Sequence, residues 1–211
     1  MKEYIENSDP ASPVMILRKA LEKTNQGLFE EAQGNPDREG MGSTLVAATI
    51  EDDMMYVANV GDSRLYLLRD SLAQITRDHS LVEEMVARGK MERDSESYRS
   101  QKNIITRAMQ PGKDNRCKPS VVHITDLRPG DYLYICSDGM LEQMDNDALC
   151  QLFSSQDSDE AKRQQLVEAT KGNKDNHSAY FVCIASVSSG EGDESLLDDE
   201  QTSKDNALNI R

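Results

Sequence analysis

Met54-Met55-Tyr56-Val57-Ala58-Asn59-Val60 and Arg64-Leu65-Tyr66-Leu67-Leu68-Arg69, joined by Gly61-Asp62-Ser63, decide the fold of this chain. Both are short apolar runs bounded by turn-forming residues, and so they read as strands. Working backwards, Ser43 to Ile50 reads as another strand, connected to Met54 through Glu51-Asp52-Asp53. Working forwards, Asp70-Ser71 turns the chain into Leu72-Ala73-Gln74-Ile75. These connections are too short for parallel crossovers, so an antiparallel meander is expected.

Helices flank this block. Ser12-Pro13 can open one, with Ser12 as N-cap and Pro13 in the first turn. Val14, Leu17, Leu21 and Leu28 then share one apolar face, and Gly34 is the stop. Asn35 to Gly42 is a polar loop. Ser80 to Lys90 reads as a helix capped by Ser80, and Ser80 to Gln101 as a whole reads as a mobile flap. Val121 to Ile124 and Tyr132 to Cys136 are further strands, joined through Leu127-Arg128-Pro129-Gly130. Asp145 is expected to cap a helix reaching Phe153, and Asp159 one reaching Thr170. Ala179 to Val187 reads as a last, buried strand. Blocks of strands and helices without strict alternation indicate an α+β sandwich.

The composition limits partners. The 211 residues fit one domain with a tail, and the net charge is −14. Such acidity disfavours nucleic acid and anionic membranes as general partners. No apolar run approaches the ~20 residues that span a bilayer. Met1 to Asn7 lacks the apolar segment of a signal peptide, so a cytoplasmic location is expected. Cys117, Cys136, Cys150 and Cys183 form no C-x-x-C or zinc spacing and read as buried, reduced thiols. From Ser188 the chain carries seven acids against Lys204 and Arg211, a balance expected of a disordered tail over 188–211.

Chemistry rests on three aspartates placed near strand ends. Asp62 follows the run ending at Val60, Asp138 follows the run ending at Cys136, and Asp175 precedes the run starting at Ala179. Each alone also reads as an ordinary turn residue, and for Gly61-Asp62-Ser63 that is the better reading. Together they point to carboxylates converging at one rim of a sheet. Clustered carboxylates repel unless a hard cation lies between them, and Mg²⁺ and Mn²⁺ take oxygen ligands of this kind.

Met41-Gly42-Ser43-Thr44-Leu45, Val57 to Arg64, and Ile75-Thr76-Arg77-Asp78-His79-Ser80 occur in order. Asn103 to Ala108, Leu127 to Asp131, Cys136-Ser137-Asp138-Gly139-Met140 and Asp175-Asn176 follow them. The series resembles the bacterial PP2C-type (PPM) serine/threonine protein phosphatases over about Ser12 to Val187. The resemblance implies a PP2C-like αββα sandwich, two antiparallel sheets flanked by helices, over residues 1–187. It implies two Mn²⁺ or Mg²⁺ ions, with a third in many bacterial members, and a metal-activated water attacking phosphoserine or phosphothreonine in proteins. Asp138 and Asp175 match ligands of the binuclear pair, and Asp62 matches the ligand that shares the third ion with Asp138. Asp78 and His79 match a motif leading into the flap, and His79 reads as structural. Phosphorylated proteins are the implied partners, opposing a serine/threonine protein kinase.

Two features depart from that pattern. Asn176-His177-Ser178 stands where an apolar, threonine-containing continuation is usual. The Asp-Gly-x-Gly-Gly motif that supplies the family's bridging aspartate does not occur in this sequence. The chain therefore reads as an N-terminally incomplete, weakly active form. The alternative is a non-catalytic pseudophosphatase that binds phosphoproteins or another partner.

Overall fold

A computed structural model describes residues 12–93, 95–111 and 118–188. The acidic tail beyond Ser188 and Cys117 lie outside these residues. Helix α1, Pro13–Gly34, opens on Pro13 as expected, but Ser12 caps it without a side-chain hydrogen bond. A 3₁₀ turn, Pro36–Arg38, leads to strands β1 (Leu45–Glu51), β2 (Met54–Val60), β3 (Arg64–Leu68) and β4 (Leu72–Gln74). Helices α2 (Leu81–Ala87) and α3 (Glu96–Gln101) follow, then β5 (Ser120–Ile124) and β6 (Tyr132–Cys136). A second 3₁₀ turn, Asp138–Leu141, precedes α4 (Asn146–Ser154), α5 (Asp159–Thr170) and β7 (Ala179–Cys183).

The strands form two antiparallel sheets, β1-β2-β5 and β4-β3-β6-β7. The expected continuous meander is thus corrected. β2 and β3 do not pair; the chain changes sheet at Gly61-Asp62-Ser63. Side-chain alternation shows why. Met55 and Val57 of β2 and Leu65 and Leu67 of β3 pack together between the sheets. The alternate residues also need cover. Ala58 and Val60 pack under Leu17 and Leu21 of α1. Tyr66 and Leu68 pack against Leu149, Leu152 and Phe153 of α4 and Leu166 of α5. The result is the four-layer αββα sandwich. Area buried on both sides of each sheet supplies its cohesion, at roughly 25 cal/mol per Å² of apolar surface.

Local details refine several expectations. Ser80 caps α2 by accepting from the Glu83 N–H, and Asp145 caps α4 by accepting from the Ala148 N–H at 2.9 Å. The cap of α5 is Ser158 rather than Asp159. β7 ends at Cys183 and forms the edge of its sheet, so Tyr180 is 75 % exposed, where a buried strand was expected. Cys183 is accordingly exposed, while Cys136 is buried as expected.

Candidate metal centre and substrate cavity

Strand register explains how the three aspartates approach one another. Arg64 pairs with Cys136, and Cys136 pairs with Ala179. Asp62 lies two residues before the first, Asp138 two after the second, and Asp175 four before the third. All three therefore emerge at the same end of the second sheet and line one cavity of about 780 Å³.

Each position is built locally. Gly61 has φ +96°, and a Cβ there would lie 2.4 Å from Thr44 Cγ2, so this turn needs glycine. His79 secures it: the Gly61 N–H donates to His79 Nδ1 at 3.1 Å, and the His79 N–H donates to the Gly61 carbonyl at 2.9 Å. An accepting Nδ1 leaves the proton on Nε2, which lies 2.8 Å from Ser120 Oγ. Burial holds the imidazole pKa below its usual value, with Arg107 and Arg77 adding to the effect. The sequence named no partner for His79; these contacts make it a fastener of the Asp62 turn.

Asp138 opens the 3₁₀ turn and accepts from the Gly139 N–H at 2.9 Å. Gly139 is also required, because a Cβ there would lie 2.5 Å from the Asn176 carbonyl oxygen. Asp175 is exposed and accepts from the Asn176 N–H at 2.7 Å. Glu142 holds the same loop, accepting from the N–H groups of Lys174 at 2.9 Å and Asp175 at 3.1 Å. Those two amides draw the Glu142 carboxyl below its ordinary pKa.

Electrostatics distinguish the three. Asp62 is only 7 % exposed. Burial first, and then the charge of Asp138, pushes its pKa up to about 6. The neighbouring cation does not cancel this, because the Arg64 guanidinium is committed elsewhere. It grips Asp78 through Nε at 3.0 Å and Nη2 at 2.7 Å and donates from Nη1 to Tyr66 Oη at 2.8 Å. Gln74 completes the Asp78 shell at 3.1 Å. A buried carboxylate beside a second carboxylate, with the local arginine already paired, is a donor set that suits a hard cation. The set is partial: no three His, Cys, Asp or Glu side chains among the described residues are grouped closely enough to hold an ion.

Residues of the flap line the same cavity. Glu83 of α2 accepts from Arg93 at 2.7 and 2.8 Å and from Tyr98 Oη at 2.8 Å. Arg93, Tyr98, Lys102 and Asn103 all line the cavity. Sequence reading singled out the three aspartates, which the structure brings to one cavity, and did not point to the Arg64–Asp78 pair or to Glu142. No short-range spacing signals either, because the partners lie 14 and 33 residues apart.

Comparison with known proteins matches this arrangement to one family. The Protein phosphatase 2C family matches residues 2–85. Protein phosphatase PhpP of Streptococcus pneumoniae is 32 % identical over 176 residues, covering 82 % of this chain and 68 % of that protein. The chain belongs to the protein phosphatase 2C family. The Mycobacterium tuberculosis serine/threonine phosphatase PstP/Ppp superposes with TM-score 0.76 at 27 % identity, covering 87 % of this chain and 77 % of that one. The PstP catalytic domain solved in complex with two manganese ions gives TM-score 0.70 at 27 % identity, covering 86 % and 76 %. The family is metal-dependent, and its protein phosphatases act on phosphorylated proteins. The chain spans about two thirds of the length of the curated relatives it matches. Among the described residues no helix is long and apolar enough to cross a membrane.

Proposed function

We propose that residues 1–187 form a phosphatase domain that hydrolyses phosphoserine and phosphothreonine in cytoplasmic proteins, opposing a serine/threonine kinase. The observation that carries this reading is the convergence of Asp62, Asp138 and Asp175 on one cavity in a chain of this family. Asp138 and Asp175 would hold one Mn²⁺ or Mg²⁺ ion, and Asp62 with Asp138 another. When bound, such ions offset phosphate charge and make water a stronger acid.

The chain's own residues then divide the work. Asp62 and Asp138, fixed by strand ends, present negative charge at the cavity floor. His79 and Gly61 hold the Asp62 turn against the first sheet. The Arg64–Asp78 pair stiffens the floor and keeps the guanidinium from neutralising Asp62. Arg93, Tyr98 and Lys102 form the wall that meets the polypeptide on either side of the phosphate. Nothing in this scheme asks for a cysteine nucleophile. Burial pushes the Cys136 thiol up to about 12, which leaves it inert.

The test is phosphate release from a phosphothreonine peptide by the purified chain. Slow turnover that requires Mn²⁺ and vanishes in Asp138→Ala is expected. Turnover that survives a chelator, or survives Asp138→Ala, would overturn the reading. The alternative, a module that binds phosphopeptide without releasing phosphate, is not favoured by the relatives, which are phosphatases. Saturable peptide binding with no release at any Mn²⁺ concentration would select it.

A further inference from the structure

We propose that Glu142 is a positioning residue for Asp175, coupling the two aspartate-bearing loops through the backbone. The inference rests on the reading of Asp175 as a metal ligand. Glu142 directly follows the 3₁₀ turn that begins at Asp138. Its carboxylate reaches the other loop, where Oε2 accepts from the Lys174 N–H at 2.9 Å and Oε1 from the Asp175 N–H at 3.1 Å. Two adjacent amides held by one carboxylate is a charge-assisted, two-point grip.

The grip falls where the fold itself supplies little. Asp62 and Asp138 each lie two residues from a paired strand end, whereas Asp175 lies four residues before β7, in a segment without helix or strand. Other attachments flank it, and His177 Nδ1 lies 3.0 Å from the Asp175 carbonyl oxygen. Asn173 Nδ2 donates to the Gly139 carbonyl at 2.6 Å, and Ser178 exchanges hydrogen bonds with Ser137 at 3.0 and 3.1 Å. Those fasten the loop before and after Asp175. Glu142 holds the Asp175 peptide itself, and so sets the direction in which its side chain leaves the backbone.

Glu142 is exposed and contributes nothing to the core clusters. Its removal should leave the sandwich intact and free only this loop. Loss of a group that orients a ligand typically weakens metal affinity 10- to 100-fold.

The experiment compares Glu142→Ala, Glu142→Gln and Asp175→Ala in the whole chain. It uses Mn²⁺ calorimetry, amide exchange at positions 174 and 175, and thermal unfolding. For Glu142→Ala we expect exchange at both amides about tenfold faster in the metal-free chain, Mn²⁺ affinity reduced by about 10- to 100-fold, and an unchanged unfolding midpoint. Glu142→Gln retains an acceptor oxygen and should fall between parent and Ala, a partial rescue that loss of bulk packing would not give. Parental Mn²⁺ affinity or parental exchange in Glu142→Ala would overturn the positioning role. Parental Mn²⁺ affinity in Asp175→Ala would overturn the ligand reading itself, and the coupling with it, whatever Glu142 does.

Discussion

Replacing Asp62 by Asn should stabilise the metal-free chain and blunt its response to divalent cations. Asp62 is 7 % exposed and faces the charge of Asp138. Together, burial and that charge raise its pKa from the ordinary 3.8 to about 6. At 1.36 kcal/mol per pH unit, keeping this group ionised costs the folded state at most about 3 kcal/mol. Local relaxation and water penetration reduce this, and about 1–2 kcal/mol is the expected gain for Asp62→Asn at pH 7. The pH dependence has a definite sign. A folded-state pKa above the unfolded value gives stability that is fully present below pH 3.8 and is lost as pH rises through about 6. Asn carries no charge, so the variant escapes that loss. Urea unfolding in the presence of a chelator should find variant and parent alike near pH 4, separating up to pH 6 and parallel above it. With Mn²⁺ added at pH 7 the parent should gain more than the variant, by mass action on a tighter site. A variant equal to or weaker than the parent in chelator at pH 7, or a gap independent of pH, would refute the account of Asp62 as a charge held against its surroundings.

Three further outcomes are expected. Asp78→Ala leaves the Arg64 guanidinium without its main partner in a largely buried setting; loss of about 3 kcal/mol is expected in urea unfolding, and Arg64→Met added to it should restore part of that. Gly61→Ala must place a Cβ 2.4 Å from Thr44 Cγ2 at φ +96°, so the unfolding free energy should fall by about 2 kcal/mol or more. The pKa of His79 lies below its usual value because the ring is buried, so its contribution is present above the unfolded pKa, about 6.5, and is lost as pH falls towards the folded one. His79→Gln should remove that dependence, seen as a flatter midpoint-against-pH curve below about pH 6.5.

Much of the fold was legible because short apolar strands and their turns are local signals. The sheet switch at Gly61 was not, because a three-residue connection fits a hairpin and a crossing between sheets equally well. Yet a signal for it was present. Met54–Val60 and Arg64–Leu68 are apolar on both faces, with Met55 and Val57 opposed to Ala58 and Val60, and Leu65 and Leu67 opposed to Tyr66 and Leu68. A half-solvated meander would alternate apolar with polar residues; double-sided burial requires cover on both sides of each strand. The exposed β7 was misread for the complementary reason. Its residues are apolar, but as an edge strand it lacks the neighbour that would bury them.

The candidate site divides along the same line. Aspartates beside strands could be picked out by composition and position, but their convergence needed the pairing of Arg64 with Cys136 and of Cys136 with Ala179, which no local pattern specifies. That register also ranks the three. Asp62 and Asp138 inherit their places from paired strands and the tight glycines beside them, so their geometry should change only when the sheet itself is damaged. Asp175 stands on an exposed loop whose aim depends on Glu142, Asn173 and Ser178. Substitutions around it should therefore alter cation affinity at nearly constant stability, whereas substitutions at Gly61 or His79 should lower both together. The His177 departure falls on that looser side. His177 is exposed and its Nδ1 lies 3.0 Å from the Asp175 carbonyl, so it touches the backbone of the loop that carries Asp175.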